Sequence, residues 1–184
     1  MKKILLLISL LLFSSVLVSA HPHIISMVYP HIYFDDDGMN GFYLQWIYDP
    51  VYSSQIIYDI DTDMNMELNS SEQEMAKDDF ISALKSEDWF MTILVNGEKQ
   101  VIPEPVNFSA EIDTFDETIM FTFYIPLSLP YETSGTKVNI EFTDPSQYTA
   151  FKIPVESLKA NGTQATINSV DINYWGIVEY DFSR

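Results

Sequence analysis

Several residue types are missing or scarce in this chain of 184 residues. No cysteine occurs, which excludes disulfides, thiolate metal ligands, cysteine nucleophiles and a lipid-modified cysteine. Basic residues are few, with nine Lys and Arg against 27 Asp and Glu, so the formal net charge is −18. A chain this acidic repels phosphate groups, and we therefore expect no nucleic-acid partner and no binding to anionic lipid.

Long apolar runs are also scarce, and the one that occurs lies at the amino terminus. Two lysines precede an apolar run from Ile4 to Phe13, and small residues follow as far as Ala20. A charged start, an apolar centre and an A-x-A-like end are typical of a removable signal peptide. The run is shorter than the roughly 20 apolar residues of a membrane span. We expect residues 1–20 to be a signal peptide, and the remainder to be periplasmic or secreted without membrane insertion.

Glycines are few, whereas aromatic residues are plentiful and occur in short apolar runs that Pro, Asn, Asp and Gly interrupt. This punctuation is typical of β proteins. The pair Asn96-Gly97 predicts a tight hairpin turn, because both residues accept positive φ. We predict a mainly β fold, an antiparallel β-sandwich, as a single domain over residues 21–184. The predicted strands are 23–34, 41–47, 89–95, 99–103, 106–112, 117–125, 137–143, 148–153 and 165–180.

A helical insertion is predicted at about residues 50–86, where the β pattern breaks. Asp49-Pro50 indicates a helix cap followed by proline in the first turn, and 51–60 is long enough for about three turns. A second helix fits 72–85, which has a partial apolar stripe and can be capped by Ser70 or Ser71. An acidic stretch lies between the two helices. The insertion therefore has the helix-loop-helix order of an EF-hand.

All three histidines, His21, His23 and His31, lie close to the expected mature start. An amino-terminal His21 offers an amine and an imidazole, and His23 points the same way about 6.6 Å along an extended strand. Such nitrogen ligands suit nickel, cobalt, zinc or copper as a cofactor. Pro22 has no N–H, so a square-planar site using that nitrogen is excluded. His31 lies about 26 Å further along a strand. The alternative is an exposed terminus that binds no metal.

The acidic stretch fits the twelve-residue calcium loop of an EF-hand. Leu68 stands where an apolar side chain usually pins such a loop. Met66 departs from the pattern, because it replaces the glycine of the sharp turn at a cost of roughly 1–2 kcal/mol. Calcium binding is thus predicted but weakened, and a helix-helix turn that binds no ion remains the alternative. Oxygen side chains occupy the ligand positions: Asp61, Asp63, Asn65, Asn69 and Glu72.

Four segments of the chain resemble a family of bacterial periplasmic proteins, the domain-of-unknown-function family 1007. The resemblance implies the periplasmic component of an uncharacterised transport system for nickel, cobalt or zinc, and hence a membrane metal transporter as partner. The family tends to have glycine where this chain has Met64 and Met66. The matching segments are His21-Pro22-His23, Trp46 to Ser53, Asp61 to Glu72 and Asp144 to Phe151.

Two functions follow as predictions. The first is a periplasmic accessory protein that binds a divalent transition metal through His21 and His23 and serves a metal transporter. The second is a calcium-stabilised binding or interaction module that uses Asp61, Asp63, Asn65 and Glu72 without any transition-metal function. We predict no enzyme activity, since no nucleophile motif such as G-x-S-x-G is present.

Overall fold

The computed structural model describes residues 23–132, 135–154, 159–161, 166–173 and 177–183. Two helices, α1 (Pro50–Ile60) and α2 (Ser70–Ser86), lie between the second and third strands, and a 3-10 turn (Asp88–Phe90) follows α2. The strands are β1 (Ile24–Phe34), β2 (Gly38–Tyr48), β3 (Met91–Val95), β4 (Glu98–Lys99), β5 (Val106–Asp113), β6 (Thr118–Pro130), β7 (Thr136–Phe142), β8 (Thr149–Lys152), β9 (Lys159–Asn161), β10 (Thr166–Asn173) and β11 (Ile177–Ser183).

The strands form two sheets. The first has the order β5-β6-β2-β1-β8, with β9 pairing with β1 further along its length, and the second has the order β10-β11-β7-β3-β4. Every pairing between described strands is antiparallel except those of β8 and β9 with β1, which are parallel. The mainly β, two-sheet prediction is confirmed. The predicted antiparallel arrangement has an exception at β1, which pairs in parallel with β8 and β9.

One core joins the two sheets and the helical insertion. Alternate residues of β1 are buried from Ile24 to Phe34, as expected for a strand with one face inward. Trp46 is 1% exposed, and its ring lies edge-on to three others, 6.0 Å from Phe80, 5.9 Å from Phe142 and 5.3 Å from Phe151. These rings come from α2, the second sheet and β8. The indole of Trp46 therefore contacts the helical insertion and both sheets.

The hairpin prediction is confirmed, but the last predicted strand is wrong. Asn96 and Gly97 have φ of 50° and 86°, as the primed turn requires, and they connect β3 to β4. The stretch 165–180 is not one strand, because β10 and β11 pair with each other in antiparallel fashion. The three-residue β9 is too short to predict from sequence.

Both helices begin at side-chain caps. The Asp49 carboxylate accepts from the N–H groups of Val51 and Tyr52 through Oδ1, and from the N–H of Ile25 through Oδ2. The start of α1 is thereby tied to β1. The cap of α2 is Asn69 and not Ser70 or Ser71 as predicted, because Asn69 Oδ1 accepts from backbone N–H groups of the first turn. In the described part of the chain, neither helix is long and apolar enough to cross a membrane.

Candidate metal centre

The acidic loop connects the last residue of α1 to the first residue of α2. Asp61 caps the end of α1, where its N–H donates to the carbonyl of Ile57. Glu72 lies in the first turn of α2 and accepts from the N–H of Asn69 at 3.0 Å, which completes a capping box. The two carboxylates at the ends of the loop are thus positioned by helix termini. The helix-loop-helix order that the sequence predicted is the one observed.

Three carboxylates of the loop converge. One oxygen each of Asp61, Asp63 and Glu72 lies within 4.8 Å of the others. Calcium binds oxygen ligands at 2.3–2.6 Å, so two oxygens on one ion can be up to about 5 Å apart. Asp61 and Glu72 are 3% and 1% exposed, whereas Asp63 is exposed. This buried acidic cluster can hold a metal ion.

Backbone N–H groups fix the two aspartates. Asp61 accepts from the N–H of Met66 at 2.8 Å and from the N–H of Asn65 at 3.2 Å, each oxygen taking one bond. Asp63 accepts from the side-chain amide of Asn65 at 3.0 Å. The Asn65 side-chain oxygen in turn accepts from the N–H of Glu67 at 2.7 Å. The loop is therefore compact, with its oxygen side chains facing its own backbone donors.

Glu72 is held by a residue that the sequence did not single out. The N–H and the hydroxyl of Thr62 both donate to Glu72 Oε1, at 2.8 and 2.7 Å. The hydroxyl bond, with the bond from the Asn69 N–H, lowers the pKa of Glu72 although burial opposes the shift. Glu72 is therefore ionised at neutral pH. No spacing rule indicates Thr62, since the second position of a calcium loop carries no side-chain ligand.

The two methionines of the loop adopt the left-handed backbone conformation that glycine usually takes. Met64 and Met66 have φ of 57° and 64°, in the left-handed region, as predicted for Met66. Met64 is 71% exposed, whereas Met66 packs against the core. The sharp turn that glycine normally permits is therefore made here by two larger residues.

No basic side chain in the described part of the chain balances the negative charge of the cluster. Among the described residues, no Lys, Arg or His pairs with Asp61, Asp63 or Glu72; the described ion pairs are those of Lys85 with Glu104 and of Lys99 with Asp88. A cavity of about 300 Å³ adjoins the loop, and Glu117 contributes one more carboxylate to its wall beside Asp61 and Met66. Glu117 could not be connected with this site from the sequence, because it lies on a distant turn.

The predicted histidine ligands do not form a cluster with other metal-binding side chains among the described residues. His21 lies outside those residues. His23 is exposed, its N–H donates to the carbonyl of Tyr148 at 2.8 Å, and its ring lies 4.8 Å from the Tyr148 ring. His31 contacts Gln45 near the far end of β1, which runs on without folding back. His31 is therefore not a third ligand beside His23.

Comparison with known proteins identifies the family. Residues 5–170 match the family described as "Protein of unknown function (DUF1007)". The chain belongs to this family. An uncharacterised protein of Haemophilus influenzae is 26% identical over 141 residues, which are 76% of this chain and 66% of that protein. The chain thus covers slightly less than two thirds of the relative's length. Neither description assigns an activity.

In this DUF1007 chain, three of the four segments that carry the resemblance meet in space. The backbone N–H of His23 donates to the carbonyl of Tyr148, as described above, and the Asp49 carboxylate accepts from the N–H of Ile25 in β1. Trp46 and Phe151 are in ring contact. The fourth segment, the acidic loop, lies at the opposite end of α1. The helix α1 therefore runs between the acidic loop and the cluster formed by the other three segments that carry the resemblance.

Proposed function

We propose that this protein is a binding module that takes up a hard divalent cation, above all calcium, in the loop from Asp61 to Glu72. The observation that carries the proposal is the convergence of three carboxylates within 4.8 Å at the junction of two helices. Two of these carboxylates are buried, and no basic side chain of the described residues neutralises them. Hydrogen bonds offset part of the cost of burying two like charges close together, and a bound cation would offset more of it.

The ligand chemistry favours calcium over a transition metal. The cluster offers oxygen atoms only. The loop contains no His or Cys of the kind that nickel, copper and zinc prefer, and its only sulfur atoms are the thioethers of Met64 and Met66. The positive φ of these two methionines is already part of the folded chain. Ion binding would therefore not require the backbone to enter the strained turn. Occupation of the site would order the ends of α1 and α2 together.

Calcium titration of the protein from residue 21 onwards tests this proposal. We expect calcium to raise the melting temperature and to bind in calorimetry more tightly than magnesium. Asp63→Asn removes one charge from the cluster at an exposed position and should weaken calcium binding about tenfold or more. Asp59→Asn, on the exposed face of α1, is the matched control and should bind as the unaltered protein does. Failure of millimolar calcium to bind, or equal binding by both variants, would reject the proposal.

A second candidate function is the periplasmic accessory protein of a nickel, cobalt or zinc transport system, with His21 and His23 as ligands and a membrane transporter as partner. One observation favours it: His23 is exposed while its backbone is fixed to Tyr148. A ligand on a fixed backbone loses less entropy when it binds a metal. The family resemblance supplies the link to transport.

This second candidate has its own test. We expect nickel, cobalt, zinc or copper to bind a protein that begins at His21, and expect a single added amino-terminal glycine to weaken that binding. His23→Ala should weaken it as well, whereas His31→Ala, the matched control on the same strand, should not. Transition-metal binding that ignores both the added glycine and His23→Ala would rule out the amino-terminal site. Calcium binding at the acidic loop is measured separately and does not depend on this result.

A further inference from the structure

A second cavity, of about 350 Å³, lies at the end of α1 opposite to the acidic loop. It is bounded by the start of α1, the end of α2, the first residue of β1 and the turn that precedes β8. Four chain segments that are far apart in sequence build it. Its size falls within the ordinary range for small-molecule sites. Six of its fourteen described lining residues are aromatic: Trp46, Tyr48, Tyr52, Phe90, Tyr148 and Phe151.

The aromatic rings meet at steep angles and so present both faces and edges to the cavity. The rings of Tyr48 and Tyr52 are 4.9 Å apart with an interplanar angle of 76°. Partial burial raises the pKa of Tyr52, and the nearby Tyr148 hydroxyl adds to that shift. Tyr148 lines the same cavity, so three tyrosine rings border it. The negative face of such rings attracts cations.

Carboxylates lie at the rim of this cavity, and none of its described lining residues is Lys, Arg or His. Asp144 and Glu87 contribute the carboxylates. Glu87 also ends α2, where the helix dipole is negative. Partial burial alone would raise the pKa of Asp144, but hydrogen bonds from Ser146 and Thr149 outweigh it, and the pKa is lowered. The rim is therefore negatively charged at neutral pH.

We propose that this cavity, which we call the aromatic pocket, binds an organic ammonium ion. Aromatic faces with a negative rim suit a large, weakly hydrated cation such as a quaternary ammonium group. They suit a bare metal ion poorly, because such an ion needs several oxygen, nitrogen or sulfur ligands and aromatic carbon supplies none. The same negative rim excludes anionic ligands. The pocket is separate from the acidic loop, and the proposal does not depend on cation binding there.

Choline and its uncharged isostere 3,3-dimethyl-1-butanol form the matched pair of probes. Both have the same shape, so any difference in binding comes from the positive charge. We expect choline to bind in calorimetry and to change the fluorescence of the protein, because Trp46 lies in the wall of the pocket. The isostere should bind about five- to thirtyfold more weakly, as expected for loss of cation–aromatic attraction. Equal binding of the two probes, or no choline binding at 10 mM, which is about the weakest interaction worth assigning to a site, would overturn the proposal.

Two variants place the binding in this pocket. Tyr148→Leu removes an aromatic wall that is 53% exposed, and Glu87→Gln removes a rim charge at the surface. Each should weaken choline binding several-fold, whereas Glu98→Gln, an exposed control on β4, should not. A melting curve identifies a variant that fails to fold. If Tyr148→Leu fails to fold, Glu87→Gln decides alone, since the Glu87 side chain makes no hydrogen bond among the described residues. Choline binding that neither variant changes would assign it elsewhere and overturn the proposal.

Discussion

Met64 and Met66 show how far single residues can depart from what a backbone position favours. Both have left-handed φ, which costs a residue with a Cβ roughly 1–2 kcal/mol relative to the right-handed region. The cost is offset differently at the two positions. Met66 buries its side chain against the core, whereas Met64 is 71% exposed and gains little from packing. The strain at Met64 is therefore open to relief by substitution.

Met64→Gly should stabilise the protein. Glycine adopts the left-handed region freely, and the greater entropy of its unfolded state cancels only part of that gain, so we expect unfolding free energy to rise by about 0.5–1 kcal/mol. Urea denaturation measures the change. Met66→Gly is the comparison, because it relieves the same strain but loses buried surface, and should give a smaller gain or a loss. A destabilised Met64→Gly protein would show that the φ of Met64 is not strained.

Only part of the residue-scale detail could be predicted. The oxygen-bearing side chains of the loop follow one another at fixed short spacings, and the left-handed turn at Met66 follows from the same spacing. Thr62 could not be predicted as the partner of Glu72, because its bonds depend on how the loop folds over the start of α2. The aromatic pocket could not be predicted either. Its residues are close only after β8 has paired with β1.

At the scale of elements, α1 is a rod fixed at both ends. Its first turn is tied to β1 through Asp49, and its last residue leads into the acidic loop at Asp61. The loop's other end is fixed by the capping box of α2. A change in the loop therefore acts on a helix whose far end lines the aromatic pocket through Tyr52.

Substitution of Asp49 should separate its two structural roles. Asp49→Ser keeps a helix cap but cannot reach Ile25, and should lower the unfolding free energy by about 1 kcal/mol, the value of one hydrogen bond. Asp49→Ala loses both the cap and that bond, and should lower it by about 2–3 kcal/mol. Chemical denaturation of the two variants beside the unaltered protein gives both values. Equal losses would mean that the bond to Ile25 adds nothing.

The stability that Glu72 contributes should depend on pH. Its pKa is lower in the folded protein than the ordinary value of about 4.5, so its ionised form is favoured by folding. This contribution is fully present above pH 4.5 and is lost as the pH falls below that value through the folded pKa. We expect the difference in unfolding free energy between the unaltered protein and Glu72→Gln to shrink over that range. Urea titrations in the presence of a calcium chelator measure it. A difference that stays constant down to pH 3, about 1.5 units below the ordinary value, would contradict this.

The elements themselves were partly predictable, for a local reason. Alternating strands such as β1 and β6, and the caps and turns that follow short sequence rules, were all indicated by neighbouring residues. Which strands pair with each other could not be predicted in this way. The parallel contacts of β8 and β9 with β1 join residues that are more than a hundred positions apart, and no periodicity within either segment encodes them.

At the scale of the whole molecule, charge of one sign predominates. The formal net charge is −18, and self-repulsion at this level opposes the compact state. Only two ion pairs are identified between described side chains, both at exposed positions where such pairs contribute little. Added salt should therefore stabilise this fold, because it screens the repulsion between the carboxylates.

Sodium chloride should raise the melting temperature in the presence of a calcium chelator. Screening shortens the reach of repulsion from about 30 Å at 0.01 M to about 3 Å at 1 M, so most of the rise should occur below about 0.3 M. Asp63→Asn should show nearly the same salt dependence, since it changes the net charge by one unit only. Calorimetric scans across this range measure both proteins. A melting temperature that does not respond to salt would show that the charges are too dispersed to oppose folding.

The parallel pairing at β1 also affects the order in which the chain can fold. During synthesis β1 emerges early, and it can pair with β2 at once, because a short turn joins them. Its other edge must wait for β8 and β9, and the roughly 115 residues between β1 and β8 take about 6–23 s to make at 5–20 residues per second. For that interval a strand with alternate apolar residues has one unpaired edge, which is a template for association with other chains. The newborn protein is therefore most in need of a chaperone, or of delay in folding, before its last third is complete.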